Sequence, residues 1–224
     1  MKILKWCPIT LLAIPLLMAA CAAPVETPVS QETTPTKPAP ATSTPVRLTA
    51  REAYEIALAH ATAKYGDVYL SEIRAGYATI IRGRPRNVAG GRSEEWSVSF
   101  RKLGEENQWV GILVTVKNGD VTHSAEGKPY PLRGTWADYV RNSTIDVNKW
   151  KISSPEAVRI AEEAGGAEFR LLMLVLAPHW QGPYWYLVFG PATTEKGKHP
   201  GLSLRINAAD GEVISTRTKT FEIY

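Results

Sequence analysis

The clearest pattern in the chain is a strict alternation near its end. Between Tyr184 and Phe189, Trp185, Leu187 and Phe189 fall on one side and Tyr184, Tyr186 and Val188 on the other. Leu202, Leu204 and Ile206 then alternate with Ser203, Arg205 and Asn207. A period of two is that of a half-buried strand, and Asp210-Gly211 supplies the left-handed positions of a hairpin turn before a last strand. Trp96 to Phe100 alternates in the same way, Val110 to Val116 reads as a further strand, and Asn118-Gly119 is a second hairpin signal. Leu171 to Leu176 is an apolar strand, and Val68 to Ile81 holds one or two strands with Tyr69, Ile73, Tyr77 and Ile80 as buried positions. The spacing changes to that of a helix after Thr49-Ala-Arg-Glu52, a capping box, with Ala53, Ile56, Ala57 and Ala61 on one stripe and Gly66 as the stop. Ser153-Ser-Pro-Glu156 opens a second helix with Ala157, Ile160 and Ala161 on its stripe and Gly165-Gly166 at its end.

These elements come twice in the same order: cap, helix, strand, Trp-led strand, strand, turn, last strand. Trp96-Ser-Val-Ser-Phe100 corresponds to Trp185-Tyr-Leu-Val-Phe189, and Asn118-Gly-Asp-Val121 to Asp210-Gly-Glu-Val213. The expected fold is therefore α+β, built as two tandem modules, each one helix packed on a small antiparallel sheet. Residues 47–124 form the first and 147–224 the second, with the Trp and Phe of each Trp-led strand facing the helix. Residues 125–146 are read as an inter-module linker, in which Pro129, Pro131 and Gly134 argue against a long element and Trp136, Tyr139 and Val140 suit one helical turn. Linker aromatics such as Trp136 and Trp150 are expected to fill the seam between the modules.

An Ala-rich helix, W-x-V/L-x-F and an apolar strand ending in D-G-E-V resemble the PepSY domain and its tandem lipoprotein relatives. The resemblance covers roughly Leu48 to Ser124 and Val147 to Arg217 and is clearest at Ile206-Asn-Ala-Ala-Asp-Gly-Glu-Val213; the first copy departs from it at Lys117-Asn-Gly-Asp120. It implies a regulatory or inhibitory role toward peptidases at the cell envelope and no catalytic centre of its own. With no peptidase domain in the sequence, the expectation is a free-standing protein rather than a propeptide.

The N-terminus alters the picture by giving an address. Lys2 and Lys5 form a basic region, Pro8 to Leu17 an apolar one too short to span a bilayer, and Leu17-Met-Ala-Ala-Cys21 resembles the lipobox of bacterial lipoproteins, with Met18 where Leu is usual. Residues 1–20 are thus expected to be a signal peptide and Cys21 to carry the lipid, attaching the protein to the outer face of the cell membrane, or to the outer membrane where one exists. An ordinary signal peptide cut nearby is the alternative. Residues 21–46, dominated by Pro, Thr and Ala, have almost nothing to bury and read as a solvated tether. Cys7 and Cys21 are the two cysteines, so the folded part has neither disulfide nor thiolate chemistry.

Composition excludes other classes. Hydrophobic residues make up 44% of the 224 and charged residues 21%, as in a globular body. The formal charge is +4, and losing Lys2 and Lys5 lowers it to about +2, which does not suit nucleic acid. His60, His123, His179 and His199 form no metal-binding spacing, and Glu94-Glu95, Glu105-Glu106 and Glu162-Glu163 are adjacent pairs whose members point to different faces. No metal, cofactor or catalytic residue is assigned. Two features stand out as partner contacts. One is the Pro-bounded loop Pro178-His-Trp-Gln-Gly-Pro183, which displays His179 and Trp180. The other is the polar stretch Gly83 to Glu95 with its neighbour Arg82, read as a long loop carrying Arg84, Arg86 and Arg92. Three functions remain open: binding of another envelope protein such as a peptidase by steric or sheet-edge contact, binding of cell wall or polysaccharide through exposed aromatics and the arginine loop, and a hydrolase with a composite site.

Overall fold

The structure, a computed structural model, describes residues 44–76, 88–193 and 195–223. Cys21, Arg82, Arg84 and Arg86, and with them the expected signal peptide, nearly all of the tether and the centre of the arginine loop, lie outside the described residues. Helix α1 runs Ala50–Tyr65 and is followed by β1 (Tyr69–Gly76), β2 (Val88–Ala89), β3 (Arg92–Ser93), β4 (Glu95–Leu103), β5 (Gln108–Lys117) and β6 (Asp120–Pro131). Then come α2 (Trp136–Ser143), α3 (Ser154–Glu163), a 3-10 turn at Gly166–Glu168, β7 (Arg170–Ala177), β8 (Tyr184–Gly190), β9 (Gly197–Asn207) and β10 (Val213–Ile223).

The helix starts are set by their caps. In α1 the Thr49 hydroxyl accepts from the Glu52 N–H and the Glu52 carboxylate accepts from the Thr49 N–H at 2.7 Å, a complete capping box. In α3 Ser153 accepts from the Glu156 N–H, but the Glu156 carboxylate is held by Arg159 at 2.6 Å, so the return half is missing. Ala50, Ala53, Ala57 and Ala61 line the buried stripe of α1 at 0% exposure. Small side chains let that helix lie close on the sheet, which leaves Ile56 half-buried.

Eight strands form one antiparallel sheet in the order β10-β9-β8-β7-β1-β4-β5-β6. The expectation of two small separate sheets is corrected here. The first long strand of each half pairs with its counterpart, Ile73 with Leu176 and Gly76 with Met173, so both halves belong to one compact unit, Ser43–Tyr224. Gly76 has φ +75°, and a Cβ there would lie 2.0 Å from the Leu172 carbonyl oxygen, so the seam depends on a residue without one.

The internal correspondence is nonetheless physical. Trp96 and Trp185 are each 0% exposed, and each donates its indole N–H to the carbonyl just before the helix cap of its own half, Leu48 at 2.9 Å and Ile152 at 2.9 Å. The core lies between the sheet and the two helices. Across the seam the Ala50 N–H donates to the Ser154 hydroxyl at 3.0 Å. Trp150, 2% exposed, sits between Tyr54 of α1 and Trp185 of β8, with ring centroids at 6.0 and 5.9 Å.

Three further readings change. Tyr69 is 40% exposed rather than buried: a bulge between Leu70 and Glu72 inserts Ser71, so Leu70 and Ile73 both reach the core and Tyr69 turns to the other face. The expected linker, 125–146, contains the second half of β6 and the two turns of α2; Trp136 packs on Tyr69 and Tyr139 on Trp109, all within the first half, so Trp136 does not fill the seam as Trp150 does. Within the expected loop, residues 88–93 form a hairpin whose Gly90 and Gly91 have φ of +53° and +74°.

Candidate functional site

Alternation along every strand sends a second set of side chains to the face away from α1 and α3. The centre of this open face is apolar, with Met173, Val175 and Val188 buried and Tyr186 and Phe221 packed against them. Two depressions flank it. The one on the first half, about 260 Å³, is lined by Glu72, Arg74, Glu95, Ser97, Ser99 and Leu113. Its Arg74 is paired with Glu72 at 3.0 Å. The one on the second half, about 110 Å³, is lined by Tyr186, Ser203, Arg205, Ser215, Arg217 and Lys219.

An aromatic corner occupies one end of the open face. Tyr130 stacks on Trp109 at 4.8 Å, Trp109 on Tyr139 at 5.3 Å, and Tyr139 on Trp136 at 5.5 Å, and Trp136 meets Tyr69 edge-on at 5.7 Å. The Arg101 guanidinium lies 4.4 Å from the centre of the Trp109 ring. Burial raises the Tyr139 hydroxyl above its ordinary range, and Arg101 partly counters it. In the stacked rings the faces cover one another, so this corner anchors α2 more than it offers a platform.

Trp180 stands apart at 76% exposure, on the turn that joins β7 to β8. His179 beside it packs on Trp180 at 5.4 Å and edge-on to Tyr184 at 5.8 Å, and its Nδ1 accepts from the Gln181 N–H at 3.4 Å. Arg92, the one arginine of the expected loop that is described, donates to the Arg47 carbonyl at 3.3 Å and pairs with Glu52 at 3.5 Å. It ties the hairpin to the start of α1.

The sheet's two edges differ. The β6 edge carries Pro129, Pro131 and Gly127 and two register breaks against β5, the features that blunt an edge. The β10 edge has eleven residues without proline, V-I-S-T-R-T-K-T-F-E-I, paired on one side only, to β9. Among the described residues no strand pairs with its outer side.

The histidines fall in separate places. His60 shares a hydrogen bond with the Ser124 hydroxyl at 3.0 Å, and His199 bonds the Glu195 carbonyl at 2.8 Å. Among the described residues no three His, Cys, Asp or Glu side chains stand close enough to hold a metal ion. No described helix is long and apolar enough to cross a membrane.

Sequence reasoning singled out Trp180 and His179, and the structure places both at one exposed corner. It missed the grouping of Arg205, Arg217 and Lys219. The alternation of Ser215, Arg217 and Lys219 was the available signal, but only the β9–β10 register brings Arg205 to them.

No protein-family model and no curated protein matches the sequence. The PepSY resemblance therefore rests on the motif residues alone. Among solved structures, the crystal structure of a candidate lipoprotein from Clostridium difficile 630 is similar in fold, with a TM-score of 0.51 at 11% identity over 75% of this chain and 93% of that one. At that identity the likeness concerns the α+β fold with its large antiparallel sheet, and nothing about function follows from it directly.

Proposed function

We propose that this chain is a non-catalytic, exported protein of the cell envelope, anchored by lipid at Cys21, that holds another polypeptide by strand addition to β10. The unpaired outer edge of β10 carries this reading. Its N–H and C=O groups are a template for an extended segment, and backbone pairing of that kind gives affinity without a catalytic pocket. Arg217 and Lys219 on the same strand disfavour pairing of β10 with a second copy of itself, since like charges would meet across the new ladder. The lipobox residues support the anchor, and the description of the Clostridium difficile protein as a candidate lipoprotein accords with it. The PepSY resemblance makes an extracytoplasmic peptidase the first partner to test.

The test is affinity capture from solubilised envelope with the full chain in detergent, beside Thr218→Pro and Lys219→Pro. Successive residues of a strand turn their N–H groups to opposite sides, so one of these prolines removes only an outward donor. The variant that melts like the wild type should lose the captured protein. Retention of the same protein by that variant would remove strand addition from the account. The exposed Trp180 favours a second reading, polysaccharide binding, because an uncovered indole face suits a sugar ring. Sedimentation with purified cell wall that Trp180→Ala abolishes would put that reading first.

A further inference from the structure

Arg205, Arg217 and Lys219 all turn to the open face, and all three are exposed. Register sets their spacing: Ser215 faces Arg205 and Arg217 faces Ser203 across the β9–β10 ladder, so Arg205 and Arg217 are diagonal neighbours and Lys219 is the next same-face residue on β10. Tyr186 faces Arg205 from β8. Neighbours so placed lie about 5–8 Å apart, so Arg217, in the middle, stands within a Debye length of both Arg205 and Lys219. No described carboxylate forms an ion pair with any of the three cations, whereas the arginine of the other depression, Arg74, has its own carboxylate in Glu72. Tyr186, Ser203 and Ser215 line the same depression. Ser203 is 3% exposed, and its hydroxyl donates to the Arg217 carbonyl over a long 3.4 Å, a weak bond that a better acceptor can displace.

We propose that Arg205, Arg217 and Lys219, with the hydroxyls of Ser203, Ser215 and Tyr186, form a binding site for a phosphate group. Three cations lining one depression, with hydroxyls beside them, exceed what a singly charged, two-oxygen carboxylate can satisfy. A phosphate monoester carries nearly two charges and three terminal oxygens, and arginine's planar fork matches it. The depression of about 110 Å³ is several times what a single water needs and admits a group of that size. Inorganic phosphate and the phosphate of a lipid headgroup have this chemistry in common. The site does not depend on strand addition: a peptide would pair with the outer edge of β10, whereas the phosphate sits on the face over β8, β9 and β10.

The experiment is calorimetric titration of the full chain in neutral detergent with inorganic phosphate, pyrophosphate, acetate and water-soluble dihexanoyl phosphatidic acid. The phosphate probes should give saturable binding and acetate at least tenfold weaker binding. Arg205→Gln, Arg217→Gln and Lys219→Gln should each weaken phosphate binding about tenfold, the size of one lost charge-assisted contact. Arg133→Gln, at an exposed arginine elsewhere, should leave it unchanged. Binding of phosphatidic acid alone would assign the site to a lipid headgroup, and binding of inorganic phosphate as well would show that the free group suffices; either supports the proposal. Equal affinity for acetate, unchanged binding in the three variants, or no saturable heat with any phosphate probe would overturn it.

Discussion

Trp150→Ala tests how firmly the two halves are joined. Trp150 is 2% exposed, and a buried tryptophan removes about 200 Å² from water. At about 25 cal/mol per Å² that is about 5 kcal/mol, of which alanine keeps a small part and the compact unfolded chain a further part. The edge contacts with Tyr54 and Trp185 and the Arg51 guanidinium, 3.8 Å from the ring centre, also go. The Ile152 carbonyl that accepts the Trp150 indole N–H keeps a second donor in Trp185, so no buried acceptor is orphaned. The expected loss is about 4 kcal/mol, within the range of aromatic truncations in cores. For a unit of this size it lowers Tm by roughly 8–16 °C. Trp150→Phe should cost about 1.5 kcal/mol, because most of the area stays. The assay is guanidinium and thermal unfolding followed by far-ultraviolet circular dichroism. Both halves should unfold together, with an unchanged denaturant slope. A loss below about 1 kcal/mol would refute the packing argument, and two separate transitions would refute the fused sheet.

Gly76→Ala should cost about 3 kcal/mol, since the added methyl would meet the Leu172 carbonyl at 2.0 Å in a backbone with φ +75°; urea unfolding checks this, and wild-type stability would mean that β1 and β7 lie further apart. Thr49→Ala should cost about 1 kcal/mol and Ser153→Ala less, because only α1 has the reciprocal half of its capping box; equal losses would contradict that difference. The Glu52 carboxyl is held below its ordinary range, first by the Thr49 N–H, then by the Thr49 hydroxyl and last by Arg92. A depressed folded value adds stability that is present above the unfolded value of about 4.3 and is lost as pH falls through the folded one. Glu52→Gln should therefore flatten part of the stability loss below about pH 4, read from melting curves across that range.

The elements were legible because their signals are local. Period-two runs, two capping patterns and two hairpin turns placed both main helices and five of the eight sheet strands correctly; Val68–Ile81 overlapped β1, and β6 and β10 were implied by the turns before them, the second half of β6 being taken for linker. The recurrence of the Trp-led strand was legible too, and its cause is visible in the indole bonds to Leu48 and Ile152. What escaped was non-local. Pairing of β1 with β7 depends on Gly76 meeting Leu172 across the chain's midpoint, and nothing near Gly76 signals its partner. The bulge at Ser71 reversed the face of Tyr69, since one inserted residue flips the alternation behind it. Pro129 and Pro131 suggested a linker because proline opposes central strands, yet both sit on an edge, where it is tolerated. Trp180 was legible from its flanking prolines, while the cationic depression needed the register of three strands.

Site-specific photo-crosslinking in living cells bears most directly on the role of β10. A benzophenone amino acid placed singly at Thr216, Thr218 or Thr220 of the full chain, and at Thr122 of β6 for comparison, would report what lies beside each edge. The account predicts that one envelope protein is captured from the β10 positions and is not captured from Thr122. Capture from Thr122 alone, or of the same protein equally from both edges, would contradict strand addition at β10.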